Sequence, residues 1–155
     1  QNISIKLTNQ IDKEIKRIKD NSSKLSSKPK VYFEEWFDPI ISSIKWVSEI
    51  IEVCGGENFC SSINAGSLAK DRIISDDSEI ISFNPDIILA SWCGKKFRKE
   101  KMVSRKKWNL INAVKNNEIY EIDSSIILQP GPAALTDGLK IINNIIQKWR
   151  SKQTK

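Results

Sequence analysis

Three short stretches of this sequence carry residues able to do chemistry. Glu34 and Glu35 stand side by side ahead of Trp36. Trp92-Cys93-Gly94-Lys95-Lys96-Phe97 packs two aromatic rings, a thiol and two amines into six positions. Gln129-Pro130-Gly131-Pro132 is a rigid polar turn. Histidine is absent from the chain. That excludes a His-based triad, a His-ligated zinc site and a His proton shuttle within it. Two carboxylates can share acid and base work, but neighbours on a strand point to opposite faces. Strand geometry therefore favours one solvated acid and one acid hydrogen-bonded to a backbone N–H. Cys93 beside Lys95 and Lys96 could be a low-pKa thiol, yet no base partner is identifiable. Cys54 reads as a small buried apolar residue. With Cys60 the cysteines number three, an odd count that argues against a complete disulfide framework. No CxxC pair exists, so no metal site is expected.

The elements that must position these residues are legible from periodicity. Ile3, Leu7, Ile11, Ile15 and Ile18 form one apolar stripe on a charged helix, and such a stripe must bury against something. Asn21 to Lys30 is a Ser/Lys-rich connector. Lys30–Trp36 reads as a strand ending in the polar turn Glu34-Glu35-Trp36. Asp38 and Pro39 have the types of an N-cap and first helical residue, predicting a helix with Ile40, Ile44, Val47 and Ile51 on one face. Gly55-Gly56 ends it. Glu57 to Asp71 is irregular. Asp76 and Glu79 have capping-box spacing and open a short helix over 77–83. Asn84-Pro85-Asp86 breaks it. Ile87-Ile88-Leu89-Ala90 is a short apolar run expected to be a strand buried on both faces. A basic helix over 100–108, a strand over 118–122 and a last helix carrying Leu135, Leu139, Ile142, Ile146 and Trp149 follow. This alternation predicts an α/β fold with a mainly parallel sheet flanked by helices. In such sheets ligands bind beyond the carboxyl ends of the strands, where the tryptophan loops fall. Trp36, Trp92 and Phe97 beside Lys and Gln donors could form an aromatic cleft for a large flat ligand. Trp46, Trp108 and Trp149 read as packing.

The chain has 155 residues, 25 Lys and Arg against 19 Asp and Glu, and a net charge of +6. The excess is uneven. Residues 95–107 hold eight basic residues and one acidic, and residues 1–30 hold eight and three, whereas residues 31–94 hold three and eleven. Basic ends and one basic cluster around an acidic body are not a nucleic-acid footprint over the whole surface. No apolar run approaches the roughly 18 residues that span a bilayer.

Val31-Tyr32-Phe33-Glu34-Glu35-Trp36 with Asp38-Pro39, Trp46-Val47-Ser48-Glu49 and Gly55-Gly56 resembles the cobalamin-binding-type (class III) periplasmic solute-binding proteins of ABC importers. The similarity runs on through Leu68-Ala69-Lys70-Asp71-Arg72-Ile73, Asn84-Pro85-Asp86-Ile87-Ile88 and Ser91-Trp92-Cys93-Gly94-Lys95-Lys96-Phe97. It ends with Leu128-Gln129-Pro130-Gly131-Pro132 and Ala133 to Leu139, covering about residues 28–148 in order. The tryptophan loop and the Gln-Pro-Gly-Pro turn are its specific parts.

The resemblance implies two α/β lobes joined by a long helix, with the ligand clamped between them. Residues 1–29 would be the tail of that helix and a linker, 30–150 the C-terminal ligand-binding lobe, and 151–155 a basic tail. The N-terminal lobe is not in this chain. No enzyme activity and no resident cofactor are implied. The ligand would be cobalamin, another corrinoid or a similar metal chelate, held non-covalently. Glu35, Trp36, Leu68, Lys70, Trp92, Lys95, Lys96, Phe97 and Gln129 would line the cleft, with rings stacked on the flat face of the ligand. The partner would be the membrane permease. Ser78 falls where relatives carry the docking Glu, and Asp76, Asp77 and Glu79 around it would substitute. The location implied is periplasmic or extracytoplasmic, although the chain, which starts at Gln1, shows no signal peptide and leaves a cytoplasmic location open. Three other readings are a nucleic-acid or protein interaction module using 95–107, an enzyme using Cys93 or the Glu34/Glu35 turn, and a stable fragment without autonomous function.

Overall fold

A computed structural model describes residues 2–59 and 68–155. Helix α1 (Asn2–Ser23) carries the expected stripe, but only its C-terminal half is covered. Ile18 is 3% exposed and Ile3 is 86% exposed. The Ser22 hydroxyl donates to the Val53 carbonyl at 2.9 Å, tying the end of α1 to the core.

Strand β1 (Lys30–Trp36) runs on through Glu34 and Glu35. The helix expected from Asp38 does not start there. Instead β2 (Ile40–Ser42) returns antiparallel to β1, placing Ser42 opposite Glu34. Two consecutive β-branched residues with a strand on each side override the local capping signal. The helix begins later, as α2 (Lys45–Val53). Gly55 follows at φ +87°, and a Cβ there would sit 2.6 Å from Arg150 Nη2. Only glycine fits both the backbone angle and the space.

Strand β3 (Glu57–Asn58) pairs with the start of β1. A 3-10 turn, Ala69–Arg72, leads into β4 (Ile73–Ile74). Helix α3 (Ser78–Phe83) falls within the predicted span and ends on left-handed Asn84 before Pro85. Strand β5 (Ile87–Ala90) is fully buried, as the apolar run predicts. Helix α4 (Lys99–Val103) stops five residues short of the expected end. The Ser104 hydroxyl bonds back to the Lys101 carbonyl at 2.8 Å, a competitor to helix propagation, and Lys107 turns left-handed at φ 68°. After a 3-10 turn at Trp108–Leu110 come α5 (Asn112–Lys115), β6 (Ile119–Glu121), α6 (Ser124–Ile127) and a π-turn at Ala134–Gly138. That turn runs straight into α7 (Leu139–Gln153).

The sheet order is β4-β2-β1-β5-β6, with β3 also on β1. Strands β3, β1, β5 and β6 are parallel, and β2 and β4 add an antiparallel edge. Both faces are covered. Val31, Phe33, Ile87 and Leu89 pack against α1, α2 and α7 through Ile18, Ile51 and Ile142. Tyr32, Ile88 and Ala90 pack against α3, α4 and the 108–113 segment through Ile80, Met102 and Trp108. Each fully buried Ile, Leu or Phe contributes about 1.5–3 kcal/mol by leaving water. The two-sided burial fixes register, because a one-residue slip of β1 or β5 would exchange the faces.

Candidate ligand-binding site

Parallel pairing of β1 and β5 sets Glu34 opposite Ala90. The two strands therefore finish together, and the loops after Trp36 and Ala90 emerge side by side. Between them lies a cleft of about 480 Å³ lined by Phe37, Trp92, Gly94, Lys95, Lys96, Arg98 and Lys101. On the other side of the same loop, Trp92 and Lys95–Lys96 face Glu121, Asp123 and Ser124 across a second hollow of about 280 Å³. The position agrees with the rule for open α/β sheets.

The aromatic residues divide into floor and face. Trp92 is 5% exposed, so its ring is not free to stack on a ligand as expected. It is held between Phe37 and Phe97, each at a centroid distance of 4.9 Å. Such tilted and edge-on contacts stabilise a fixed aromatic floor. Phe37 lines the cleft with a half-buried ring, and the half-buried rings of Trp36 and Phe97 lie beside it, against Lys95 and Trp92. The Lys95 ammonium lies 5.2 Å from the centre of the Trp36 ring, and Trp36 Nε1 donates to the Asp38 carbonyl at 3.0 Å.

Beneath the floor sits Glu34, fully buried. The expectation of a solvated acid or a backbone-bonded one fails for both neighbours, because each carboxylate meets an arginine. Glu34 accepts from Arg105 Nη1 at 2.6 Å and Nη2 at 3.1 Å, from the Tyr32 hydroxyl at 2.8 Å and from Trp92 Nε1 at 3.0 Å. Burial raises the Glu34 carboxyl above its ordinary value, against the lowering pull of Arg105, Tyr32 and Trp92. Burial, then the charge and hydrogen bond of Glu34, pushes the Tyr32 phenol well up. Arg105 is held on several sides: it also bonds the Phe37 carbonyl at 3.0 Å and lies 4.7 Å from the Phe37 ring and 4.6 Å from the Trp108 ring.

Glu35 turns to Arg72, whose Nη1 also donates to the Ser42 carbonyl at 2.6 Å. Glu35 is thus tied up at the edge of the site. Arg72 in turn anchors the 3-10 turn bearing Leu68 and Lys70, both exposed. Gln129 lies elsewhere, in a hollow of about 180 Å³ with Trp46, Pro130 and Gly131. Trp46 Nε1 donates to the Ile127 carbonyl at 2.9 Å, so this tryptophan both packs and walls that hollow.

Of the acids around Ser78, Asp77 accepts from Trp108 Nε1 at 2.7 Å and faces inward. Asp76 is exposed, and the Ser78 backbone N–H beside it lowers its carboxyl. Glu79 is half-buried. Cys54 is buried, with its thiol pushed up to about 12, first by burial. Cys93 is exposed at the cleft loop, and Cys60 lies outside the described residues. Among the described residues no group of His, Cys, Asp and Glu could hold a metal ion. No described helix is long and apolar enough to cross a membrane.

Sequence reasoning missed Phe37, Arg98 and Lys101 as lining of the cleft, and Arg105 as the partner of Glu34 beneath it. The charge cluster at 95–107 was visible, but not that Lys95, Lys96, Arg98 and Lys101 are the members that line the cleft. Glu34 was singled out and given the wrong environment, since nothing local points to an arginine 71 residues away.

The family model for periplasmic binding protein matches residues 3–126. No curated protein matches the chain significantly in sequence. Solved structures do match in fold. An ABC transporter substrate-binding protein from Listeria monocytogenes EGD-e is 24% identical at a TM-score of 0.71, over 92% of this chain and 56% of that one. S. aureus IsdE complexed with heme is 19% identical at a TM-score of 0.71, over 91% of this chain and 56% of that one. The periplasmic vitamin B12 binding protein BtuF of Vibrio cholerae is 16% identical at a TM-score of 0.63, over 92% and 51%. The chain spans about half the length of these relatives.

Proposed function

We propose that this chain, which belongs to the periplasmic binding protein family, is the ligand-capturing C-terminal lobe of the substrate-binding component of an ABC importer. Its ligand is a flat metal chelate, a corrinoid or a related macrocycle, bearing acidic groups at its rim. The observation that carries this reading is the cleft at the ends of β1 and β5, with an aromatic base and four lysine or arginine side chains on its rim. A flat apolar face suits Phe37, Phe97 and Trp36. Lys95, Lys96, Arg98 and Lys101 suit carboxylates or phosphates. Arg105 is not counted with them, because Glu34 neutralises it.

Capture is non-covalent. The rings exclude water from one face of the chelate, and the ammonium and guanidinium groups meet its acids where the apolar floor strengthens the attraction. Glu35 is held by Arg72, the exposed Leu68 and Lys70 on the Arg72 turn are available to a ligand or a second lobe, and Gln129 stands apart in its own hollow. The exposed apolar residues of α1, Ile3 and Leu7, and the groove of about 390 Å³ beside Leu135 suit a second lobe. Asp76 is the acid best placed to meet a permease, acting outside the cytoplasm. Relatives that bind heme and vitamin B12 support the flat-chelate class without choosing within it. The four cations favour the more acidic chelate. Titration with hemin and cyanocobalamin, followed by visible absorbance and tryptophan fluorescence, tests the reading.

A nucleic-acid interface through 95–107 has less support. Arg105 is bound to Glu34, Lys95 lies over Trp36, and Lys101 lies 5.9 Å from the Phe37 ring centre. These charges converge on a concave site rather than forming a stripe along a surface.

A further inference from the structure

One buried carboxylate bonds the Trp92 floor directly and reaches Phe37 through Arg105. It sits in an otherwise largely apolar layer, where Ile88 and Ala90 of the sheet pack against Ile80 and Met102 of the helices. A carboxylate in such a place is costly unless its oxygens are saturated. Glu34 is saturated by donors from three separate segments. Tyr32 comes from the same strand, Trp92 from the loop after β5, and Arg105 from the turn after α4. Arg105 carries the link on to the Phe37 carbonyl, and Trp92 carries it to Phe97. Shape alone would be served as well by an apolar residue. A carboxylate adds direction, since it fixes which edge of the Trp92 indole points down.

We propose that Glu34 is the positioning residue of the ligand cleft, holding the Trp92 indole and the Arg105 guanidinium in the one arrangement that shapes the aromatic floor. It acts through those two side chains and does not touch the ligand, being fully buried. The charged and titratable groups facing it are Arg105 from the turn after α4 and Tyr32 from β1, with Asp77 beyond Trp108 at the start of α3. The proposal rests on the chelate-binding reading for its effect on affinity, but its effect on the indole does not need that reading.

Two measurements on the full chain separate the two. The indole N–H resonances of the five tryptophans are recorded with 15N-labelled protein, and Trp92→Phe identifies the Trp92 signal. Hemin and cyanocobalamin affinities are measured on the same samples. Glu34→Gln keeps the shape but removes the charge. It is expected to move the Trp92 indole resonance and to weaken hemin binding about tenfold, the loss of one charged hydrogen-bond partner. Glu34→Asp, which keeps the charge, is expected to recover part of the affinity. If Glu34→Gln does not fold, the Glu34→Gln/Arg105→Gln variant, with neither charge, carries the same expectations. An unmoved Trp92 resonance, or unchanged hemin affinity in a folded variant that keeps wild-type binding, overturns the positioning role. If wild-type protein binds neither chelate, the chelate reading fails, and the Trp92 resonance alone decides for or against Glu34.

Discussion

Glu34 and Glu35 are adjacent in β1, yet their carboxylates close on two different arginines, Arg105 and Arg72. The strand alternation that separates neighbouring side chains lets one dipeptide anchor two loops. Arg105 belongs to the basic segment around the cleft. Arg72 belongs to the turn that carries Leu68 and Lys70.

The Glu35 anchor has a measurable cost of loss. The Arg72 side chain is 2% exposed and that of Glu35 is 17% exposed. Breaking a pair of this kind leaves a charge without its partner, at about 3 kcal/mol. Arg72→Ala is expected to lose about that much in urea denaturation, and Glu35→Gln/Arg72→Met to lose clearly less. Equal losses would show that the pair is packing and not charge.

The Glu34 carboxyl gives a pH dependence of definite sign. Its folded pKa is raised above the ordinary 4.5 by burial, so the folded state holds the proton more tightly than the unfolded chain. Between 4.5 and the raised value, rising pH therefore lowers stability through this group. The order of Trp92 moves the other way, since the ionised carboxylate is the better acceptor. Carboxyl 13C NMR should place the Glu34 midpoint above 4.5, and the Glu34→Gln variant should lack that falling component. A midpoint below 4.5 would contradict the burial.

The free thiols should react at very different rates. Cys93 is exposed, whereas Cys54 is buried and its thiol is pushed up to about 12. In a Cys60→Ser background, a disulfide reagent at pH 8 should label Cys93 promptly and Cys54 only as the chain unfolds. Prompt labelling of both would mean that the core around Leu139 is open.

Charge reversal at the rim should separate binding from folding. Lys96 and Lys101 are exposed, so Lys96→Glu/Lys101→Glu is expected to change stability by less than about 0.5 kcal/mol. Hemin affinity should fall about tenfold or more, with the difference shrinking at high salt. If the double variant binds duplex DNA less well but hemin equally well, the rim serves another partner.

Much of this was legible in the sequence, and the exceptions have causes. Ile87 to Ala90 read correctly because a strand buried on both faces leaves an uninterrupted apolar run. The stripe of α1 read correctly as a helix face, but that only its C-terminal half is covered was not legible, since periodicity does not tell what lies opposite. The segment after Asp38 misread because Asp-Pro is a local helix signal, while the pairing of Ile40–Ser42 with β1 is a long-range fact. The cleft residues were half legible. Lys95, Lys96 and Phe97 stand in one loop with Trp92, but Phe37, Lys101 and Arg105 join them only through contacts between segments more than 60 residues apart. Trp92 was found and lines the cleft, but its burial between Phe37 and Phe97 was not legible, since a sequence does not tell how rings pack on one another.

The most direct measurement is a titration of the chain with hemin and with cyanocobalamin, repeated with Lys96→Glu/Lys101→Glu. Saturable binding of at least one chelate, roughly micromolar for a single wall of a cleft, with hemin the tighter and weakened by the charge reversal, is the predicted result. No absorbance or fluorescence change with either chelate up to high micromolar concentration would contradict the assignment of this cleft.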